Sequence, residues 1–536
     1  MTRQFHLADL FEIVAEAIPD RIALRDEKGE VSFAQMNGRA DRLAAALYGH
    51  GLRRGDKVGL YMMNGPEFLE SFFAVIKLGA VPFNVNYRYQ LEELTYLFGN
   101  ADAKAVIHGA EFSPFVKELK AALPLLELSI SVEDGQGVSG DVSDSLDYAA
   151  LMDSNAPVPP YERDEQDYML QYTGGTTGMP KGVMWPHKAF FYACLGGGGM
   201  YVRQPPIETP DAQGTLAASS FPIRVMPVAP LMHGAAIWTA LSGILGGVTL
   251  VLDPMRGGFD PQAIWDRAER EEVNILQIVG DAMAVPLLHA LQAEPKRWNL
   301  SRLIHFGSGG AVFSQHVKDG LKALLPNTMM GDGMGTSETG ISGMGEPAKE
   351  GGFMRLEAGE NQQVLIDGHI ADVGEVGYLA RTGHTPIGYY NDPEKTAEIF
   401  HDIDGTLWVA SGDQARLDGD GMITVLGRGS TCINSGGEKI YPEEVEEALR
   451  AHAAVLDAAV IGMDDPKWGQ RVCALISLSK GMDAPTYADV KAFCKTKLAD
   501  YKIPKAVNVV PEIRRSPAGK QDYAWAKSIW KEDQHG

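Results

Sequence analysis

Cysteine is scarce, with four in 536 residues (Cys194, Cys432, Cys473, Cys494), no Cys-x-x-Cys pair and no metal-ligand spacing. That excludes a disulfide framework and fits reduced thiols in a cytoplasmic protein. A positive surplus is missing too. Asp plus Glu number 70 against 48 Lys plus Arg, a net charge of −22, so no broad basic face is available for nucleic acid or an anionic membrane. Small anionic ligands need only a local positive field and stay open. Asp9, Glu12 and Glu16 interrupt the apolar N-terminal stretch, which argues against a secretory signal. Only residues 225–252 lack Asp, Glu, Lys and Arg for a bilayer's length. Pro227, Pro230, Gly234, Gly243, Gly246 and Gly247 break that run as a single helix. The expectation is a buried loop, a core helix near Ala235–Leu245 and a strand over Val248–Leu252, in a soluble protein.

The composition is otherwise that of a globular chain with a large core, 45% apolar and 22% charged, but glycine is abundant at 60 and clustered. Ser32 caps a predicted helix with Met36, Ala40, Leu43 and Leu47 on its apolar face. Strands over Lys57–Met62, Ala80–Phe83 and Lys104–His108 alternate with helices over Pro66–Leu78 and Leu91–Leu97. Such alternation predicts an α/β fold with a largely parallel sheet. Asp418-Gly419-Asp420-Gly421 reads as a hairpin turn. After Gly427-Arg428-Gly429-Ser430 the pattern changes to a small α+β unit, with helices near Glu443–Ala451 and Ala488–Leu498 and strands near Val455–Ile461 and Arg471–Leu478. The boundary is placed at 429, giving domains 1–428 and 429–536.

The strongest local signal is Thr173-Gly174-Gly175-Thr176-Thr177-Gly178-Met179-Pro180-Lys181-Gly182, which follows a predicted strand, Tyr168–Tyr172. Glycines let backbone N–H groups turn inward as an anion nest, and hydroxyls and an ammonium complete it. Pro180 before the lysine and Gly182 after it exclude a Walker-type loop. A second such stretch is Gly331-Asp332-Gly333-Met334-Gly335-Thr336-Ser337-Glu338-Thr339-Gly340. Others are Ser308-Gly309-Gly310-Ala311, Ser411-Gly412-Asp413, Ser435-Gly436-Gly437-Glu438-Lys439 and Ser516-Pro517-Ala518-Gly519-Lys520.

In this order the motifs resemble those of the adenylate-forming superfamily: acyl-CoA synthetases, luciferases and peptide-synthetase adenylation domains. The resemblance covers nearly the whole chain and implies a large N-terminal domain of α/β subdomains with a small mobile C-terminal lid. It implies that Thr173 to Gly178 and Lys181 cradle phosphate. Gly309, Gly310 and Ala311 would line the adenine and acyl pocket with Asp332, Met334 and Gly335. Thr336 or Ser337 would meet the α-phosphate, and Glu338 would hold Mg²⁺. Met334 stands where many members carry an aromatic residue, and its thioether can still pack on adenine. Asp413 would accept from the ribose hydroxyls, with Arg428 beside the nucleotide. Ser430 takes the pivot position, where the family usually has Asp or Lys. Gly436, Gly437 and Lys439 would form the loop that admits pantetheine, Lys520 would serve adenylation, and His233 would border the acyl carboxylate and gate CoA entry.

The resemblance implies ATP-dependent formation of an acyl adenylate and transfer to CoA, with Mg²⁺ as cofactor. Acyl-pocket candidates are Trp185, Phe190, His233, Trp238, Gly280, Phe306 and Gly307, mostly apolar or small. The glycine run Gly196–Gly199 is expected to open a loop onto a wide pocket. Phrases such as Gly178–Trp185 and Gly335–Gly340 look closest to bacterial fatty-acyl ligases, including those that activate steroid side chains. A medium-to-long or bulky alicyclic acid is therefore expected. Transfer to a carrier protein and non-catalytic nucleotide binding are the rival readings. A homodimer is compatible with the sequence, and no transmembrane segment is expected.

Overall fold

Ser32 caps the helix Phe33–Gly49: its hydroxyl accepts from the Gln35 N–H at 3.2 Å, and the Gln35 side chain accepts from the Ser32 N–H at 2.9 Å. Pro66 opens the helix Pro66–Lys77. Around these helices run the parallel strands Lys57–Tyr61, Val81–Asn84 and Ala103–Gly109. The computed structural model describes the chain except for residues 1–2, 134–143, 154–160, 174–178, 202–203, 255, 257, 312, 345, 348–353, 436–437, 466–467, 499, 516–519 and 533–536.

Two sheets are built alike. The first is parallel from Leu146–Asp147 to Tyr168–Thr173 and ends in an antiparallel hairpin with Lys181–Pro186. The second is parallel from Ile22–Arg25 through Ile275–Ile278 and His305–Gly309 to Met329–Thr336, and ends in a hairpin with Gly340–Met344. The strand ends that flank each major glycine- and hydroxyl-rich motif thus pair at a sheet edge, Thr173 with Lys181 in the first sheet and Thr336 with Gly340 in the second. The helices Leu7–Ala17, Phe33–Gly49, Pro66–Lys77 and Gly234–Leu245 join both sheets in one apolar core. The uncharged segment resolves into the strand Arg224–Pro227, the helix Gly234–Leu245 and the strand Thr249–Val251. Among the described residues no helix is long and apolar enough to cross a membrane.

A third, antiparallel sheet contains the hairpin Thr406–Leu417/Met422–Arg428, closed by the Asp418 N–H donating to the Met422 carbonyl at 2.8 Å. A smaller sheet follows, with Ile433–Ser435, Glu438–Ile440, Val455–Asp465, Gly469–Leu478 and Ala506–Val509, backed by the helices Pro442–Arg450 and Tyr487–Lys495. The chain is therefore a mixed α/β protein with a large N-terminal and a small C-terminal domain.

The run Gly196–Gly199 forms a tight turn and not an open loop. Gly196, Gly197 and Gly198 take left-handed φ values of 68°, 63° and 89°. A Cβ on Gly197 would meet the Pro206 Cβ at 2.5 Å, and one on Gly199 would collide with the Gln204 carbonyl oxygen. The glycines instead permit a tight turn packed against residues 204–206.

The rings of His6 and His187 lie 4.1 Å apart between centroids, both buried. Neither ring nitrogen of His187 has a hydrogen-bond partner among the described residues. Burial, then the Arg163 charge, pushes the His187 imidazole down to about 3. An unfolded histidine titrates near ~6.5, so between about pH 6.5 and pH 3 the unfolded chain binds the extra proton. Stability present above that window is lost as pH falls through it. In His187→Leu, the thermal destabilisation between about pH 7.5 and pH 5 should shrink by roughly 2 kcal/mol for the lost proton. Melting curves at the two pH values check this; a shift equal to the parent's would refute it.

Candidate active site

Glu338 lies on the turn of the second edge hairpin, and its Oε1 accepts from the Tyr389 hydroxyl at 2.9 Å. The Lys181 ammonium stands 5.2 Å from the centre of the same ring. Tyr389 sits in a segment fastened to the first hairpin: Met184 N–H donates to the Gly388 carbonyl at 2.9 Å, and Tyr390 N–H to the Gly182 carbonyl at 2.8 Å. The Trp185 indole donates to the Ser337 carbonyl at 2.8 Å. One tyrosine and one tryptophan thereby bring together the strand Lys181–Pro186 and the turn of the second hairpin. Within the second turn, the Thr336 and Thr339 hydroxyls pair at 2.9 Å, and Thr339 N–H donates to the Thr336 hydroxyl at 3.1 Å. Gly340 has φ 72°, and a Cβ there would lie 2.7 Å from the Ala193 carbonyl oxygen, so only glycine closes this turn. Met334 packs against the core of the third sheet.

His233 precedes the helix Gly234–Leu245 and is held from beneath. Asn84 donates to the Tyr172 carbonyl at 3.0 Å and the Met232 carbonyl at 2.6 Å, and accepts from the Tyr172 N–H at 2.8 Å. The strand leading to Thr173 and the turn leading to His233 are thus fixed by one side chain. Asn64 donates to the Ala229 carbonyl at 3.1 Å and accepts from the Leu231 N–H at 2.7 Å. His233 Nε2 is buried without a hydrogen-bond partner among the described residues. Burial pushes the imidazole down to about 4, and the charges of Arg88 and Lys520 push the same way. Lys520, near the far end of the chain, therefore lies within electrostatic reach of His233. The imidazole is neutral at pH 7.

Asp413 is buried and stands opposite Arg428 in the hairpin register, with its N–H donating to the Ser411 hydroxyl at 3.2 Å. Gly310, at φ 89°, would carry a Cβ 3.9 Å from that of Ala235, so Gly309-Gly310-Ala311 runs past the start of the His233 helix. The strands Ile433–Ser435 and Glu438–Ile440 pair in antiparallel register, Ser435 opposite Glu438 and Asn434 opposite Lys439. Gly174, Gly175, Thr176, Thr177, Gly178, Gly436 and Gly437 lie outside the described residues, as do the side chains of Arg428, Ser430 and Lys439.

The acyl-pocket candidates divide. Phe306 is a correction: it is fully buried with Trp265 and Phe313 on the face of its strand opposite Gly307. The reason is strand alternation, which sends neighbours to opposite faces. Trp185 and Phe190 are fully buried core residues, and Trp185 acts through its bond to Ser337. Trp238 is tied by its indole to Gln171 Oε1 at 2.9 Å. Gly280 begins a helix at φ 58°, with its N–H on the Ser308 hydroxyl at 2.9 Å. Asp332 shares the Phe306 side of the sheet and pairs with Lys318 at 2.9 Å.

Residues 11–382 match the AMP-binding enzyme family, and residues 444–520 the AMP-binding enzyme C-terminal domain. The chain belongs to this family. The chain is 40% identical to the medium/long-chain-fatty-acid–CoA/3-oxocholest-4-en-26-oate–CoA ligase of Mycolicibacterium smegmatis, over 98% of this chain and 97% of that one. It is also 40% identical to the 3-oxocholest-4-en-26-oate–CoA ligase of Rhodococcus rhodochrous, over 97% and 95%. The fold matches the crystal structure of the anthranilate CoA ligase AuaEII in complex with anthranoyl-AMP, with a TM-score of 0.83, 24% identity and coverage of 99% and 98%. In this AMP-binding enzyme, Tyr389, Asn84, Asn64 and Gln171 brace the candidate site, and none of them belongs to a motif visible in the sequence. The only local hint was the glycine before the paired tyrosines in Gly388-Tyr389-Tyr390.

Proposed function

We propose that the enzyme joins a hydrophobic carboxylic acid to coenzyme A in two steps driven by ATP. The observation that carries this reading is the frame that links Lys181 to Glu338 through Tyr389, with the Lys181 ammonium 5.2 Å from the ring centre and the hydroxyl 2.9 Å from the carboxylate. The names of the full-length relatives point to the same reaction and to medium, long or steroid side-chain acids. The acid is ionised at neutral pH, so no general base is needed. Its oxygen attacks the α-phosphorus and pyrophosphate leaves. Lys181, Lys520, Thr173 and the N–H groups of residues 174–178 spread the charge that develops there. Asp413 and Arg428 hold the nucleotide. The Glu338 carboxylate suits a magnesium ion, a hard cation that uses one or two carboxylates and completes its shell with water and phosphate. Magnesium supplies charge neutralisation when bound. Residues 429–536 then pivot at Ser430, withdraw Lys520 and present Gly436, Gly437 and Lys439. The CoA thiolate attacks the acyl carbonyl and AMP leaves.

The test is AMP release, with and without CoA, across a panel of carboxylic acids. Medium-to-long or alicyclic acids should win, in a CoA-dependent manner. Preference for acetate or benzoate, or release indifferent to CoA, would overturn the reading. Tyr389→Phe keeps the ring beneath Lys181 and removes the hydroxyl that bonds Glu338. A hydrogen bond to a charged group is worth about 1.5–3 kcal/mol, so ATP–pyrophosphate exchange should fall roughly tenfold or more with an unchanged melting temperature. Parent-like exchange would show that Glu338 needs no such tether.

A further inference from the structure

Strand alternation puts Gly307 and Gly309 on one face of the second sheet, paired with Gly331 and Gly333 of the next strand. The face is a side-chain-free floor, and Gly310, at its end, passes the helix that His233 begins. On the opposite face, Leu276, Ile278 and Phe306 are completely buried. On the floor side, the central-strand residue Gln277 is only half-buried, as are Ala235 and Thr239 along one stripe of the His233 helix. A central parallel strand usually buries both faces. Here one face is left partly open along the strand.

Gln277 is the polar group over this floor. It stands in register with Gly307, and a Cβ on Gly307 would collide with Gln277 Oε1 and lie 3.0 Å from His305 Nε2. Among the described residues the Gln277 carboxamide makes one long hydrogen bond, Nε2 to the Ile278 carbonyl at 3.4 Å. A carboxamide that loses water without gaining a partner is costly. An unbroken hydrocarbon chain laid over that carboxamide, which covers the floor at Gly307 and Gly309, would strip its water and return nothing.

We infer that Gln277, with His305 beyond it, selects acids carrying a keto or hydroxyl oxygen part-way along the acyl group. The inference rests on the acyl-CoA ligase reading and narrows its substrate class. The Gln277 Oε1 and the His305 Nε2 both stand over Gly307, which at about 3.3 Å per residue lies about 7 Å along the strand from Gly309. The recognised oxygen sits about that far from the carboxyl end, and Gly307 is glycine because the carboxamide occupies its side-chain space.

The experiment measures kcat/KM for CoA-dependent AMP release with saturated acids of one length, unsubstituted or bearing one keto group at successive positions. The parent should prefer one keto position over the unsubstituted acid by about tenfold or more. Gln277→Leu, and Gln277→Met as a second replacement of similar volume, should flatten that profile and favour the unsubstituted acid. A flat parent profile, or a peak unchanged in both variants, overturns the inference. If neither variant is active, the parent profile alone decides. Failure of the ligase reading would look different, because no acid would then support CoA-dependent AMP release.

Discussion

Lys520→Ala should lose about 10²- to 10³-fold in ATP–pyrophosphate exchange, the loss typical of removing one preorganised charge-stabilising donor. Thioester formation from supplied acyl adenylate and CoA should stay within a few-fold of the parent. Lys520 is only partly buried, so its truncation opens no cavity in the core. Its charge is one of those depressing the His233 imidazole, so the variant's His233 should titrate higher than the parent's, as read by NMR. Equal loss in both half-reactions would sink the assignment of Lys520 to the first step.

The second large effect belongs to Glu338. Gln is isosteric and keeps an oxygen for the Tyr389 hydroxyl, so Glu338→Gln removes the charge and preserves the tether. Exchange should fall by about 10²-fold or more, with half-saturation moved to higher magnesium. Binding of magnesium-free ATP, followed by calorimetry, should barely change. The two variants are separable, because loss of Lys520 should leave the magnesium requirement near the parent's. Parent-like exchange at low magnesium would remove Glu338 from the metal role.

These effects need groups from distant parts of the chain to meet, and there sequence and structure part company. Ser32, Pro66 and the Asp418–Gly421 turn act on their own neighbours, so their helix starts and hairpin follow from residue type alone. The motif glycines are legible for the same reason, as Gly340 illustrates: its left-handed φ is a local need. Phe306 shows where local reading fails. It looks like a pocket residue because it is apolar and beside Gly307, yet one step along a strand reverses the face. The run Gly196–Gly199 fails in another way, since flexibility in sequence becomes a tightly packed turn once residues 204–206 fold against it. Nothing near Asn84 in the chain indicates that it will join the Tyr172 and Met232 backbones.

The sequence by itself determined the chemistry: scarce cysteine, an acidic surplus, glycine- and hydroxyl-rich turns with set lysines and carboxylates, and a change of pattern near 429. These rest on backbone freedom, charge and hydrogen-bonding capacity, properties each residue carries wherever it lies. Only the tertiary structure decided that Tyr389 bonds Glu338 beneath Lys181, that Asn84 ties the Tyr172 and Met232 backbones, and that Gln277 overhangs the glycine floor. Those pairings arise when apolar faces of sheets and helices pack, and close packing fixes neighbours that chain order leaves undetermined.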